Sequence, residues 1–289
     1  MHYFIADAEV DENNNKVINV KNELNENEIN FMNRSLECLT LYKRVKHIYN
    51  MVIYNGQELE KYLKELKRTI IKSSRKIEEE KIILQANRLL FNYCSAIGTY
   101  IDILEKCLSK IDKKRLNNFR STCNQLYDNK LEYRFWVTFR NYVIHYDIPF
   151  TSIVRTLYET KIECDKERLL KFPKWKHVKE DLEKMNDKID ILPMIVPMNV
   201  NLTLLYFDFI YNIADKILLM YENTGKFVAK YKIKKPIIIK AESIEEYKKG
   251  KMSMNLIDFE AIQKAFEDVK SHPKINLEIH DITPEWMKN

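Results

Sequence analysis

Glycine and proline are scarce in this chain, with 4 and 7 among 289 residues. All-β folds spend both on tight turns, so the shortage argues against a sandwich or barrel and predicts long helices with few sharp reversals. The five cysteines, Cys38, Cys94, Cys107, Cys123 and Cys164, are odd in number and form no C-x-x-C spacing. They support neither a disulfide framework nor a zinc site, and they point to a reducing, cytoplasmic setting. No run of about 18 uncharged apolar residues, the length of a membrane-spanning helix, stands out. The longest candidate, around 198–213, includes Asn199, Asn201 and Asp208. The opening stretch, MHYFIADAEVDENN, lacks the basic and apolar regions of a secretory signal. No membrane partner is expected.

The composition that remains is globular. A 45% share of hydrophobic residues suffices for one large core or two smaller ones, despite 31% charged residues. The net charge of +6 tilts mildly towards an anionic partner, and it equally describes a solvated, Lys-rich surface.

Apolar spacing predicts a mainly α fold, a bundle of long helices with small β elements at the amino terminus, after residue 149 and near the carboxy terminus. HYFIA (2–6) and KVINV (16–20) flank the polar DENNN and form a hairpin pattern. A helix is expected over 27–72, with Gly56 marking a break near its middle. From 75 to 112, Ile83, Ala86, Leu90, Tyr93, Ile97, Ile101, Leu104, Leu108 and Ile111 recur every third or fourth position, which predicts one long amphipathic helix. A shorter helix follows at 113–127, and another from about 129 into TFRNYVIHYDIPF (138–150), where Pro149 stops it. FTSIVRTLYET (150–160) has strand composition. Helices return at 166–187 and 189–226, the latter disturbed by Pro193 and Pro197 and stopped by Thr224–Gly225. KPIIIKA (235–241) predicts a strand, 254–271 a helix, and INLEIHDI (275–282) a last strand. The natural divisions are 1–22, 23–150 and 151–289.

Chemistry concentrates in TFRNYVIHYDIPF. Arg140, Asn141 and His145 are polar intrusions in an apolar segment, and such groups are costly to bury without partners. On a helix Arg140 and His145 project about 140° apart. Arg140 is long and His145 lies in the last turn, so both heads can line one wide groove. Asn141 is one turn before His145 and can reach its ring. Arginine grips phosphate with parallel N–H bonds, histidine exchanges protons near neutral pH, and an amide can orient either. No cluster of carboxylates accompanies the set, so metal-dependent phosphoryl transfer is not expected and no cofactor is called for. Metal-free RNA cleavage by attack of the 2′-hydroxyl suits the set, with His145 moving protons and Arg140 stabilising charge. Further candidates are less specific. Arg120 and Arg134 can line an RNA path and Tyr146 can stack a base. Lys113, Lys114, Arg115 and the cluster of Trp175 with Lys174, Lys176 and His177 are equally consistent with a solvated face.

The string R-N-Y-V-I-H (140–145) resembles the signature of HEPN domains (higher eukaryotes and prokaryotes nucleotide-binding), in which an Arg, a polar residue and a later His lie on a late helix of a helical bundle. Arg140, Asn141 and His145 match those positions, and the resemblance covers about residues 25–150. It implies a metal-independent endoribonuclease that acts on RNA as a homodimer, in a toxin–antitoxin, abortive-infection or other antiviral setting. It also implies a possible antitoxin or regulatory protein as partner. The alternative is a non-catalytic module that binds a nucleotide or a protein in a defence or regulatory complex. Residues 151–289 remain outside the resemblance.

Overall fold

Long amphipathic stretches do become long helices. The computed structural model describes residues 1–10, 14, 16–68, 76–156 and 158–278. In chain order the elements are β1 (His2–Val10), β2 (Lys16–Glu23), α1 (Glu26–Arg68), α2 (Lys76–Ser109), α3 (Lys113–Asn129), α4 (Leu131–His145), β3 (Ile153–Arg155), β4 (Thr160–Ile162), β5 (Cys164–Asp165), α5 (Lys166–Leu170), α6 (Val178–Lys184), β6 (Lys188–Ile189), α7 (Leu192–Tyr231), β7 (Pro236–Ala241), α8 (Ile244–Lys248), β8 (Ser253–Leu256) and α9 (Phe259–Lys270). The fold is mainly helical with small sheets. The chain divides into two units, Arg44–Phe209, and Met1–Lys43 together with Ile210–Asn289. The compositional break at residue 150 lies inside the first of these.

The Arg44–Phe209 unit is built on α2. Its stripe of Ala86, Leu90, Tyr93, Ile97, Leu104 and Leu108 is buried, as the three-and-four spacing requires. Helix α4 packs on α2 through Phe135, Trp136, Phe139 and Tyr142, all fully buried. Trp136 meets Tyr93 edge-on at 4.9 Å, and Trp175 stacks on Phe139 at 6.3 Å. Both indoles have their N–H satisfied, Trp136 by Met194 O (3.1 Å) and Trp175 by Leu169 O (2.6 Å). Buried indoles need such acceptors. Two-stranded ribbons, β3 with β4 and β5 with β6, are both antiparallel.

Several expectations change. Gly56 does not break α1. A Cβ there would lie 2.8 Å from the Tyr93 ring and as close to the Asn199 amide, so the glycine permits close approach of side chains from α2 and α7. Tyr93 donates to Asn199 Oδ1 at 2.7 Å across that gap. The expected helix over 166–187 is two short helices, α5 and α6, separated by a loop that buries Phe172 and Trp175. Pro193 sits in the first turn of α7, where its missing N–H costs nothing. Pro197 lies inside the helix and removes one backbone bond, yet the helix continues because Ile195, Met198, Leu202, Leu205 and Phe209 bury an unbroken stripe. By length and composition α7 contains a stretch apolar enough to cross a membrane, of which 44% is buried inside the protein.

The other unit holds a four-stranded antiparallel sheet in the order β2-β1-β7-β8. Ile5, Ala6, Ile237, Ile238 and Ile239 are buried in its two central strands. Buried Asp7 accepts from the backbone N–H groups of Lys234 (3.0 Å) and Lys235 (2.6 Å), which satisfies its charge where β7 begins. Helix α9 buries Ile262, Ala265, Phe266 and Val269, and Tyr42 of α1 donates to Asp268 at 2.7 Å. Here too the sequence expectations need correction. Helix α7 runs past Thr224–Gly225 to Tyr231, with Phe227 and Val228 buried beyond the glycine. Residues 253–256 form strand β8 rather than helix, and 275–278 carry no regular structure. The remainder of that expected strand, 279–282, lies outside the described residues, as do 69–72 of the first expected helix.

Candidate functional site

Helix α4 delivers the Arg140–Asn141–His145 set to the end of a buried helix, and the chain beyond it is tightly held. The N–H groups of Tyr146 and Asp147 both bond to Tyr142 O, at 2.9 and 3.1 Å, closing the last turn. Three residues further, Phe150 is clamped to α2: its N–H donates to Asn87 Oδ1 (3.2 Å) and its carbonyl accepts from Asn87 Nδ2 (2.7 Å). The helix end therefore cannot drift without breaking paired buried groups.

Arg140 is half-buried against α2. Its guanidinium lies over Gly98, where a Cβ would come within 2.6 Å of Nη2 and closer still to Nε and Cζ. Its Nε is sealed from solvent and has no hydrogen-bond partner. Nη1 donates to Asn141 Oδ1 at 3.3 Å. No carboxylate lies within ion-pair distance of Arg140 among the described residues. Cys94, one turn before Gly98 on α2, is fully buried and feels the Arg140 charge. Burial pushes the Cys94 thiol well up, so it stays neutral and offers no counter-charge.

His145 is exposed and makes no hydrogen bond among the described residues. Asn141, which spacing allowed to hold the His145 ring, has its oxygen on Arg140 instead. Within one chain, no hydrogen bond joins Arg140 to His145. The set is thus an anchored guanidinium with its amide, and a free imidazole five residues on.

Past the end of α4 opens a cleft of about 370 Å³ lined by Tyr146, Asp147, Thr151, Asp165, Glu167, Arg168, Lys171 and Lys188, and by none of Arg140, Asn141 and His145. Arg168 grips Asp147 with two bonds, 2.7 and 2.9 Å, and Lys188 holds Asp165 at 2.8 Å. The Arg168 bonds hold the Asp147 carboxyl below its usual range, and Lys188 does the same for Asp165. The half-exposed Tyr146 ring forms one wall, with its hydroxyl donating to Lys171 O at 3.2 Å. Lys171 is the loosest cation of the cleft, 3.7 Å from Glu167. Arg168, Lys171 and Lys188 had no signal in the sequence beyond being basic; only the antiparallel pairing of β5 with the distant β6 and the short α5 bring them beside the end of α4.

The other sequence candidates are placed elsewhere. Arg134 pairs with Asp181 through two bonds, 2.7 and 3.0 Å, and Arg120 pairs with Glu105 at 3.1 and 2.9 Å. Tyr133, Phe135, Trp136 and Tyr142 are core. Trp175 is 1% exposed, so it cannot stack on a base. Among the described residues no three His, Cys, Asp or Glu side chains are grouped to hold a metal ion. Comparison with models of known protein families finds no match, and neither does comparison with curated proteins or with solved structures.

Proposed function

We propose that the protein is a metal-independent endoribonuclease of the HEPN type, acting on RNA as a homodimer in a toxin or antiviral-defence role. The observation that supports it most is Arg140: a half-buried guanidinium with a sealed, unpartnered Nε and no carboxylate beside it. In the same unit Arg115, Arg120, Arg134, Arg155 and Arg168 are ion-paired, so Arg155, whose Nε is likewise sealed and unpartnered, has a carboxylate beside it where Arg140 has none. A cation held without its counter-ion is matched to an anion from outside, and a phosphodiester fits the planar fork. In the reaction, His145 takes the proton of a ribose 2′-hydroxyl as its oxygen attacks the adjacent phosphorus. The P–O5′ bond breaks, a 2′,3′-cyclic phosphate forms, and the 5′-oxygen leaves with a proton supplied by imidazolium. Arg140 neutralises charge on the non-bridging oxygens, and Asn141 fixes Arg140. Two copies, each giving one imidazole, would supply the acid and the base together.

The test is cleavage of RNA by purified protein in EDTA. Products should carry 2′,3′-cyclic phosphate and 5′-hydroxyl ends, and DNA of the same sequence should stay intact. Cleavage that needs a divalent ion, or that persists in both Arg140→Ala and His145→Ala, would remove the assignment. One observation favours a second reading, a non-catalytic nucleotide-binding module: Arg140 and His145 share no bond within the chain, and Asn141 serves the arginine alone. That reading predicts thermal stabilisation by nucleotides with no RNA turnover.

A further inference from the structure

We propose that Gly98 is a positioning residue, the seat that fixes the Arg140 guanidinium at the end of α4; its catalytic consequence rests on the ribonuclease proposed for this site. Gly98 is buried in the interior of the 34-residue α2 and is one of only 4 glycines in the chain. Apart from proline, no residue suits a helix interior less, so its presence calls for a reason. The reason is steric. All three atoms nearest to a Cβ built at Gly98 belong to the Arg140 side chain, and none to backbone. A methyl group there would therefore displace the guanidinium rather than the fold.

The seat also explains how a cation is tolerated without a partner. Pressed onto α2, the guanidinium has Nε sealed and Nη1 tied to Asn141. Its outer edge is left for a phosphodiester. Cys94 and Gly98, one turn apart on α2, supply a neutral floor, because burial keeps the Cys94 thiol protonated. An acidic residue in either place would cancel the charge that the site needs. A larger side chain at position 98 would push that charge outwards, and a displacement of about 1 Å costs on the order of 100-fold in rate.

The test uses four proteins: the parent, Gly98→Ala, Arg140→Ala and the double variant. In the parent background, Gly98→Ala should lower kcat for RNA cleavage in EDTA by roughly 10- to 100-fold, with KM little changed. Its pH profile should keep its shape, because His145 is untouched. The Tm of Gly98→Ala should stay level or fall. In the Arg140→Ala background the same change should raise Tm by about 2–4 °C, because a helix-interior glycine is relieved with nothing in its way. Residual cleavage there should drop no further. Equal Tm shifts in both backgrounds, loss of folding in both, or an unchanged kcat would overturn the proposal. If the parent is inert towards RNA, the ribonuclease falls, and the pair of Tm shifts still decides whether Gly98 seats Arg140.

Discussion

Helix α4 carries two arginines in opposite settings. Arg134, near its start, is closed on itself: Asp181 takes two of its nitrogens and Asp128 O accepts from a third at 3.3 Å. Arg140, near the end of the same helix, has only an amide at 3.3 Å. Both are partly buried, with Arg134 at 20% side-chain exposure. Desolvation therefore presses on both, and only one is compensated inside the protein. A compensated charge contributes to folding, and an uncompensated one is free to act on a ligand. The contrast separates an arginine compensated within the protein from one that is not.

The largest effects should fall at the end of the helix. Arg140→Ala and His145→Ala should each reduce RNA cleavage by about 10²- to 10³-fold, the scale of removing one charge-stabilising or proton-transferring group. Neither should cost stability in urea unfolding, since neither removes a bond to a carboxylate, and Arg140→Ala also removes an unpaired buried nitrogen. Arg134→Ala should give the converse result, with cleavage within a few-fold of the parent and stability lower. A result in which the two arginines behave alike would abolish the distinction between them.

Next in size is the structural pair itself. With 20% and 18% side-chain exposure, Arg134 and Asp181 lie between surface and buried ion pairs. Truncating either should cost about 1–3 kcal/mol, measured by chemical denaturation. The pH dependence sharpens the point. Asp181 is held below its usual value of 3.8, chiefly by the hydrogen bonds from Arg134. A carboxyl depressed in the folded state stabilises fully above its unfolded value, and that contribution is lost as pH falls through the folded one. Below about pH 4, then, Tm should fall less steeply in Asp181→Asn than in the parent. Arg140→Ala should leave the acid limb as it is, because no carboxylate titrates against it.

Much of the bundle was legible in the chain. The spacing from Ile83 to Leu108 lies within α2, and α4 ends at His145, a few residues ahead of the Pro149 that bars its continuation, because both signals are local. What escaped depended on distant partners. Gly56 was read as a helix break and Gly98 carried no reading of its own, and only the side chains facing them, Asn199 with Tyr93 and Arg140, show them to be places of close approach. Gly225 was read as a stop, but it has nothing within 4 Å and the helix runs on, carried by Phe227 and Val228. The candidate triad was visible as residue types. Its geometry was not, since the choice of Asn141 between Arg140 and His145 depends on which way α4 leans on α2. Likewise Arg134 stood as a less specific candidate for an RNA path until Asp181, 47 residues away, was in view.

Arg120 carries the comparison to its lower limit. Like Arg134 it makes a two-bond contact with a carboxylate, Glu105, at 3.1 and 2.9 Å. Unlike Arg134 it is surface-exposed, with 53% of its side chain accessible. Water screens such a pair, and the entropy of holding two long side chains offsets much of the remaining attraction. Arg120→Ala should therefore change Tm within measurement error, and added salt should leave that null result intact. If Arg120 instead contributes to an RNA path, its loss should raise KM for long RNA at low salt and leave the cleavage of a dinucleotide unchanged, since a phosphate contact remote from the reacting bond adds only salt-dependent binding. A loss of kcat on the dinucleotide would mean that a solvent-exposed, paired arginine had reached the chemistry, and compensation by a carboxylate would no longer distinguish the two ends of α4.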